Sequence, residues 1–482
     1  MDESVAGVDG GKKDPVPEPG PMTIDEAMAL AIERLKLDDR QNAEIILRRI
    51  LEVEPDYADA VHYSGLLAHR NRRSDDAVAL MRRSLELAPG QADWHSNLGI
   101  LLQARDDLEG AMHCFERAIA LNPSHANAYN NLGVLLRLFR RPEEAETAYR
   151  KAIELAPSLP DPHHNLAILL DATGRTHEAV LAYCRALTLK PEFPELRRLL
   201  ALAYCTIGER DKAIALCEAW IAKEPDDPAA AHTLAAVSGR NVPVRAGDAY
   251  VQLVFDSFSS TFEAKLARLD YRAPDLVVRS VAASGVSPGG QFDVLDAGCG
   301  TGLCAPLLAP YARRLAGVDL SAGMLRLAAD KQLYDELVQG ELTAYLQSHP
   351  AAFDLVVSAD TLVYFGPLED VAAAAAQALR PGGLLVFTVE EWQMDRTGDR
   401  EAAADDQGAG YCLRPHGRYN HRAWYVEGVL RAVALEVHIE RDTLRKEQGL
   451  PVPGLIVRAR RPAGQGDDRN AAGTGVAGEP HA

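Results

Sequence analysis

A strict 34-residue spacing runs through the first half of the chain. Prolines and alanines recur at this interval six times each, at Pro55, Pro89, Pro123, Pro157, Pro191 and Pro225, and at Ala43, Ala77, Ala111, Ala145, Ala179 and Ala213. Small residues keep the same spacing at Gly65, Gly99, Gly133, Ala167, Ala201 and Ala235. Two helices cross closely only where a side chain is small, because extra volume forces them apart. The spacing therefore predicts stacked helix pairs, each packed on its neighbours.

This period resembles that of the tetratricopeptide (TPR) repeat, a pair of helices joined by a turn. The resemblance implies six repeats and a closing helix over residues 22–240. Such an array forms an α-superhelix with a concave face, which is an extended binding surface. We therefore expect a protein or peptide partner in the groove.

Three asparagines, Asn97, Asn131 and Asn165, also lie 34 residues apart, at the sixth position of successive repeats. A side-chain amide both donates and accepts hydrogen bonds, so a ladder of amides can bind the backbone of an extended peptide. The ladder resembles that of the repeat domain of O-linked N-acetylglucosamine transferase, which implies a substrate-binding role. The alternative is that each asparagine bonds the neighbouring helix.

A glycine-rich loop follows an apolar strand in the second half. Residues 292–302 read F-D-V-L-D-A-G-C-G-T-G, so the strand ends in Asp296. The loop glycines are Gly298, Gly300 and Gly302. Twenty-three positions after Asp296, a second apolar strand, residues 315–318, ends in Asp319. Strands this apolar are typical of parallel sheets, and acids at their carboxyl ends suit a ligand with ribose hydroxyls.

A dinucleotide site is excluded by the spacing of this loop. The dinucleotide fingerprint G-x-G-x-x-G needs a third glycine where this chain has Leu303. In a dinucleotide site, Asp296 would place a negative charge near two phosphates. The same negative charge suits a cationic sulfonium and an amino group.

The order of further motifs resembles class I S-adenosylmethionine (SAM)-dependent methyltransferases. After D-A-G-C-G-T-G come V-D-L-S-A-G-M-L (318–325), F-D-L-V-V-S-A-D (353–360) and L-R-P-G-G-L-L-V-F (379–387). The resemblance implies a Rossmann-like domain over residues 241–461 and a lid helix within residues 251–263. From residue 22 to 461 the chain is similar to predicted bacterial methyltransferases that carry TPR repeats.

The same resemblance implies a set of SAM-binding residues. Asp319 would hold the ribose hydroxyls and Met324 would contact the adenine. Glu341 stands where the family usually has an aspartate, which keeps the charge and lengthens the reach. The whole set is Asp296, Gly298, Gly300, Gly302, Asp319, Leu320, Met324, Glu341 and Leu342.

Methyl transfer requires an acceptor lone pair held in line with the carbon–sulfur bond. A general base is needed only where the acceptor must lose a proton early. Asp360 and Tyr364, at the end of the fourth strand, are catalytic candidates, as is His421 in the late motif G-R-Y-N-H-R-A-W-Y. Tyr419 is a substrate-binding candidate in that motif, and Glu390 and Glu391 are weaker alternatives. His421 could instead begin a helix.

Length and composition agree with two domains. The 482 residues exceed a single core, and the terminal segments 1–21 and 462–482 are predicted to be disordered tails. A net charge of −18 disfavours nucleic-acid binding. Seven scattered cysteines without zinc spacing favour a cytoplasmic protein without a metal. We also find no apolar run that could span a membrane.

Three functions follow from the sequence. The first is a methyltransferase for a small molecule or sugar, with repeats that serve assembly or regulation. The second is a protein methyltransferase whose repeats hold the substrate, as the asparagine ladder favours. The third is a TPR scaffold with a vestigial SAM-binding domain. The intact Asp296, Gly300 and Asp319 disfavour the third function. The sequence does not separate the first two, because acceptor pockets are built from variable loops.

Overall fold

The computed structural model describes residues 22–393, 408–447 and 449–463. These residues divide into two compact units between Leu169 and Leu170. The predicted tail 1–21 lies outside the described residues, and of the predicted tail 462–482 only positions 462–463 are described.

Helices make up the first unit. They are α1 (Ile24–Lys36), α2 (Arg40–Val53), α3 (Ala58–Arg70), α4 (Ser74–Leu87), α5 (Ala92–Ala104), α6 (Leu108–Leu121), α7 (Ala126–Leu138), α8 (Pro142–Leu155) and α9 (Pro160–Ala172), of which α9 crosses the boundary. Each odd-numbered helix from α1 to α7 packs on the helix that follows. Side chains satisfy the free amides at several helix starts. For example, Asp107 accepts from the backbone amide of Gly110 at 3.0 Å.

Close helix crossings explain the periodic small residues. A Cβ added to Gly99 would lie 2.6 Å from Cε1 of Phe115, and one added to Gly133 would lie 2.6 Å from Cε1 of Tyr149. Both aromatic rings are fully buried. The prediction that a small residue allows each crossing is therefore confirmed for these two repeats.

The second unit begins with the last repeat helices and continues into a mixed α/β domain. The repeat helices are α10 (Thr176–Leu189), α11 (Pro194–Thr206), α12 (Arg210–Lys223) and α13 (Pro228–Ser238). The helices of the α/β domain are α14 (Asp248–Phe258), α15 (Phe262–Arg268), α16 (Ala273–Ala283), α17 (Ala305–Leu308), α18 (Ala322–Asp330), α19 (Leu342–Gln347), α20 (Glu369–Ala378) and α21 (Ala423–Ala432). Helices α1 to α12 provide the helix pairs that the period predicts, and α13 follows them.

A single sheet organises the α/β domain. Its strands are β1 (Phe292–Ala297), β2 (Ala312–Asp319), β3 (Glu336–Gln339), β4 (Phe353–Ser358), β5 (Leu379–Glu391), β6 (Tyr411–Leu413), β7 (Tyr419–His421), β8 (Glu436–Glu447) and β9 (Leu450–Arg460). The order is β3-β2-β1-β4-β5-β7-β6, with β9 antiparallel to both β5 and β8. Strands β1 to β5 pair in parallel, so their carboxyl ends lie at one edge.

Helices cover both faces of this sheet. Apolar residues of α19, α20 and α21 form one core with the strands, and those of α16 and α17 form a second core. Strands buried on both faces become almost wholly apolar, as β4 does. The predicted fold class, helical repeats followed by a Rossmann-like domain, is confirmed.

The connection between α13 and α14 packs on the α/β domain. The backbone amide of Ala246 donates to the carbonyl of Tyr364 at 2.8 Å, and that of Gly366 donates to Val244 at 2.9 Å. The hydroxyl of Tyr419 donates to the carbonyl of Pro243 at 2.5 Å. This connection therefore joins α13 to the loop that follows β4.

Candidate functional site

A cavity of about 820 Å³ lies at the carboxyl ends of the parallel strands. Loops after β1, β2, β3 and β4 line it, and helix α14 lies across it. Seven of the nine predicted SAM-binding residues line this cavity: Gly298, Gly300, Asp319, Leu320, Met324, Glu341 and Leu342. This is where ligands bind in open α/β sheets, because the loops at that edge diverge.

The carboxylate of Asp319 is held by backbone amides. Its Oδ2 accepts from Gly300 at 2.9 Å and its Oδ1 accepts from Ser321 at 2.8 Å. Burial raises the pKa of Asp319, while these amide hydrogen bonds act in the opposite direction. Each oxygen keeps a further lone pair, so the carboxylate can accept from two hydroxyls of a ligand.

The glycine loop packs against Thr361 at Gly298 and is open at Gly300. A Cβ on Gly298 would overlap Thr361, at 2.1 Å from Oγ1, whereas a Cβ on Gly300 would meet nothing within 4 Å. Both glycines have a positive φ, +77° and +54°. Gly298 is therefore required by packing on the loop after β4, and Gly300 leaves its side of the loop open.

Asp296 and Gly302 lie outside the cavity lining. Asp296 is 1% exposed beneath the loop, where its Oδ2 accepts from the hydroxyl of Tyr334 at 2.7 Å. Burial raises the pKa of Asp296 to about 7. A Cβ on Gly302 would meet Tyr334 at 3.1 Å. The same tyrosine therefore packs under both residues.

Glu341 immediately precedes α19 and caps its start. Its carboxylate oxygens accept from the amides of Thr343 at 3.0 Å and Ala344 at 2.8 Å. Helix starts leave such amides free, so this arrangement stabilises α19 and fixes the side chain. Glu341 therefore lies at the cavity edge with its direction set by the helix.

The helix across the cavity is joined to the loop after β2. Asp256 of α14 accepts from the hydroxyl of Ser321 at 2.5 Å and from the amide of Gly323 at 3.1 Å. In turn, the amide of Met324 donates to Ser321 at 3.1 Å. The helix that sequence motifs predict as a lid is thus bonded to the segment that follows Asp319.

Asp360 lines the cavity and has one carboxylate oxygen in an ion pair. Its Oδ2 accepts from Nη1 of Arg445 at 2.5 Å, whereas its Oδ1 is buried and has no hydrogen-bond partner among the described residues. Its φ is +58°, and its amide donates to Thr388 at 2.9 Å. Burial raises the pKa of Asp360 against the opposing charge of Arg445. Strained backbone of this kind is common at functional sites.

A network of buried charges surrounds this carboxylate. Arg445 is 3% exposed and also bonds Glu390 and Glu447. Arg418 bonds the same two glutamates, at 2.6 Å each. Three carboxylates and two guanidinium groups therefore share one cluster, and the sequence did not reveal it. Arg445 lies in β8, and the antiparallel pairing of β8 and β9 places it at the cavity.

The candidates from the late motif lie elsewhere. Tyr364 lines the cavity and its ring meets that of Phe255 edge-on at 5.6 Å, whereas His421 and Tyr419 are fully buried and do not line it. The ring nitrogen Nε2 of His421 donates to the carbonyl of Gly366 at 2.9 Å, and burial lowers its pKa to about 4. His421 lies in β7, and α21 begins two residues later.

The asparagine ladder lies in the first unit, within α5, α7 and α9. Asn97 donates to Nε2 of His62 at 3.2 Å, and Asn165 donates to Oδ1 of Asn130 at 2.9 Å. Asn131 accepts from the amide of Asn130 at 3.3 Å. Two of the three amides therefore bond the repeat before their own.

The described residues contain no group of histidine, cysteine and acidic side chains that could hold a metal ion. Among the helices described, none combines the length and the apolar character needed to span a bilayer.

Family comparisons match both halves of this architecture. The tetratricopeptide repeat family matches residues 28–92, 96–160 and 172–237, and the methyltransferase domain family matches residues 295–387. The chain combines tetratricopeptide repeats with a methyltransferase domain. The second match covers the glycine loop, Asp319 and Asp360, which line part of the cavity.

Named relatives share the methyltransferase domain. A ubiquinone biosynthesis O-methyltransferase from Thiobacillus denitrificans is 30% identical over 159 residues, which cover 31% of this chain and 66% of that protein. A malonyl-(acyl-carrier protein) O-methyltransferase from Enterobacter lignolyticus is 38% identical over 95 residues, 20% of this chain and 38% of that protein. The chain thus spans less than two thirds of either relative. A solved structure of Pseudomonas aeruginosa PilF matches with a TM-score of 0.40 and 20% identity, over 44% of this chain and 96% of that chain.

Proposed function

We propose that the protein transfers a methyl group from SAM to an oxygen atom of a small molecule enclosed in the cavity. One observation carries this proposal. The loop with Gly300 and Asp319 and the buried carboxylate of Asp360 line the same cavity of about 820 Å³. That volume is near the upper end of ligand pockets, ~300–1,000 Å³, so it can hold a cofactor and an acceptor together.

The residues present fit SAM. Asp319 would accept from the ribose hydroxyls, because its two oxygens are oriented by the amides of Gly300 and Ser321. The open side of Gly300 would admit the ligand against the backbone. Met324 and Leu342 would supply apolar contacts for the adenine. When bound, SAM supplies a methyl group that its sulfonium already activates.

Asp296 would act from beneath the loop. Its carboxylate is buried and bonded to Tyr334, so it would act on a cationic ligand through its charge and not by direct contact. Burial raises the pKa of Asp296, and a nearby positive charge would oppose that shift because it favours the ionised carboxylate.

The acceptor proton would pass to Asp360. As the acceptor oxygen bonds the methyl carbon, its O–H bond would break and the proton would move to the carboxylate of Asp360. SAM would supply the methyl group and would leave as S-adenosylhomocysteine. Arg445 holds Oδ2, which fixes the direction of the other oxygen. Tyr364 would position the acceptor beside it, since it lines the same wall.

An oxygen acceptor is supported by the relatives and by the base. Two relatives that share this domain are named as O-methyltransferases of different substrates. A hydroxyl acceptor has a proton to lose, and a buried carboxylate with a raised pKa suits that transfer. The names agree on the acceptor atom and differ on the molecule, so the identity of the acceptor does not carry over.

The repeats would bind a protein partner that assembles or regulates the enzyme. Binding along an extended face is what such arrays do. The ladder of Asn97, Asn131 and Asn165 would belong to this surface, although Asn97 and Asn165 already bond preceding repeats. A scaffold with a vestigial domain is disfavoured because the bonds that hold Asp319 in place are intact.

Calorimetry on the full chain tests the cofactor assignment. We expect one SAM site, and binding at least tenfold weaker in Asp319→Ala, because a hydrogen bond to a charged group contributes about 1.5–3 kcal/mol. The control is Asp330→Ala, which removes an exposed carboxylate at the end of α18. Unchanged affinity in a folded Asp319 variant would remove the ribose assignment.

The acceptor class is tested with tritiated SAM and a lysate from cells that lack the gene. Label should enter the low-molecular-mass fraction. The labelled product should be an O-methyl compound and should not co-migrate with N-methyl or S-methyl standards. Label found mainly in protein would instead support the polypeptide acceptor that the asparagine ladder predicts.

A further inference from the structure

The cavity extends beyond the methyltransferase domain to the last repeats. Phe193 and Arg198 of the α11 segment, Trp220 of α12 and Ala229 of α13 line it together with the loop of Asp360. These helices lie in the same compact unit as the sheet. One wall of the proposed active site therefore consists of repeat residues.

This repeat wall is held firmly. The indole nitrogen of Trp220 donates to Asp227 at 3.1 Å, and the guanidinium of Arg197 lies 5.2 Å from the centre of the Trp220 ring. Arg197 is buried and bonds both oxygens of Glu224 at 3.0 Å. A side chain held by several partners presents one surface to a ligand at low entropic cost.

A second contact fixes the wall to the methyltransferase domain. The ring of His232 on α13 stacks on Tyr250 of α14 at 4.0 Å, and its Nε2 donates to the carbonyl of Gly417 at 2.8 Å. The residues on either side of Gly417, His416 and Arg418, line the cavity. The same contacts of His232 therefore join the repeat wall to the segment that contains His416 and Arg418.

Charge is distributed unevenly along the cavity. Near Asp360, the guanidinium groups of Arg418 and Arg445 are bonded to acidic side chains. At the repeat wall, Arg198 and Lys265 line the cavity with one acidic neighbour on its lining, Glu195, which bonds Arg198 at 2.7 Å. Burial lowers the pKa of Lys265, and a bound anion would offset that cost.

We propose that the acceptor site is shared between the two domains. Arg198 of the repeats and Lys265 of α15 bind an anionic group of the acceptor, while its hydroxyl lies at Asp360. Phe193, Trp220 and Tyr250 enclose the apolar body between these two ends. The acceptor is therefore a small hydroxylated anion, a carboxylate or a phosphate, and the repeats select it. This inference rests on the proposed function.

The test uses the full chain saturated with S-adenosylhomocysteine, so that only the acceptor half of the cavity is open. The probes are 4-hydroxyphenylacetate and 4-hydroxyphenyl phosphate, which supply the two anionic groups, and neutral 4-hydroxyphenylethanol. Binding is followed by saturation-transfer NMR titration. We expect at least one anion to bind at least tenfold more tightly than the neutral alcohol, and the better anion distinguishes a carboxylate from a phosphate site.

The matched variants separate this site from general charge. The double variant Arg198→Gln and Lys265→Gln should weaken binding of the anion at least tenfold and leave S-adenosylhomocysteine affinity unchanged. Arg185→Gln, an exposed position on α10, should change neither. Failure of both anions to bind, no preference over the alcohol, or equal anion binding in the double variant would overturn the proposal.

The outcome also distinguishes this inference from the proposed function. If the wild-type chain binds S-adenosylhomocysteine but does not discriminate between anion and alcohol, only the shared acceptor site is wrong. If it does not bind S-adenosylhomocysteine, the proposed function is wrong and the shared site is overturned with it.

Discussion

The repeats and the methyltransferase domain show two different relations between a sequence pattern and a site. In the repeats, Asn97 and Asn165 recur at the structural period, and each bonds a side chain of the preceding repeat. In the methyltransferase domain, Gly300, Asp319 and Asp360 share no period, yet the sheet brings them to one cavity. A periodic residue can be explained by the fold that produces the period. Residues that converge without a period require another explanation.

The last repeats stand between these two cases. They follow the 34-residue period, as Ala201 and Ala235 do, but Arg198 and Trp220 also line the cavity. Position in the array therefore matters as much as position in the repeat. The repeats that contact the sheet have acquired a second set of neighbours.

The largest effect should come from filling the open side of the glycine loop. Gly300→Val places a branched side chain where no protein atom lies within 4 Å, at a φ of +54° that such residues rarely adopt. We expect calorimetry to detect no SAM binding, with the helical circular dichroism signal of the repeats retained. Gly90→Val, in an open turn between repeats, should bind SAM normally. Wild-type affinity in the Gly300 variant would refute the assignment of this loop.

The next effect concerns the proposed base. Asp360→Asn should lower kcat about 10²–10⁴-fold, because general-base catalysis contributes about that much, and should leave SAM affinity unchanged. Asp370→Asn, exposed at the start of α20, is the control. A folded Asp360 variant with wild-type kcat would show that the acceptor needs no base there.

The pH profile gives the same residue an independent test. Burial raises the pKa of Asp360 above its ordinary value of 3.8. A base acts in its ionised form, so kcat of the wild type should fall as pH falls through this raised pKa. The Asn variant should lack that step, whatever its residual rate.

Sequence patterns predicted the elements better than their contacts. The period located the helix pairs, and the glycine loop and the two acids located the carboxyl ends of β1 and β2. The burial of Asp296 under Tyr334 was not predictable, because the two are 38 positions apart and meet only after β2 and β3 pair. Local sequence patterns indicate which residues form helices and strands. The contact between Asp296 and Tyr334 depends instead on how the strands pair in the sheet.

The same limit explains the catalytic candidates. Asp360 follows the end of β4 at the ligand-binding edge, so its position could be predicted from the strand order. Its partner Arg445 lies 85 positions later, in a strand that reaches the site only through antiparallel pairing with β9. His421 belongs to a motif with polar residues, yet it bonds a backbone carbonyl inside the core. A polar residue in a motif can satisfy a buried group without facing a ligand.

A smaller effect, confined to stability, is expected at a helix crossing in the first unit. In Gly133→Val the new side chain would overlap the buried ring of Tyr149, because its Cβ alone would lie 2.6 Å from Cε1 of that ring. Overpacking of this kind costs about 1–3 kcal/mol. Urea denaturation followed by circular dichroism should show the loss, while calorimetry shows unchanged SAM affinity. A parallel loss of SAM affinity would mean that the two halves are coupled.

The smallest effect on catalysis should come from the asparagine ladder. Replacing Asn97, Asn131 and Asn165 together with alanine removes hydrogen bonds within the repeats, each worth about 0.5–1.5 kcal/mol of stability. If the acceptor is a small molecule, KM, kcat and SAM affinity should all stay at wild-type values. The matched control replaces three exposed asparagines of the same helical region, Asn42, Asn71 and Asn127. Remote contacts made equally in the ground and transition states change KM and spare kcat. A strong rise in KM in the folded ladder variant alone would therefore show that the repeats hold a polypeptide acceptor, and the period would then mark a binding site as well as a fold.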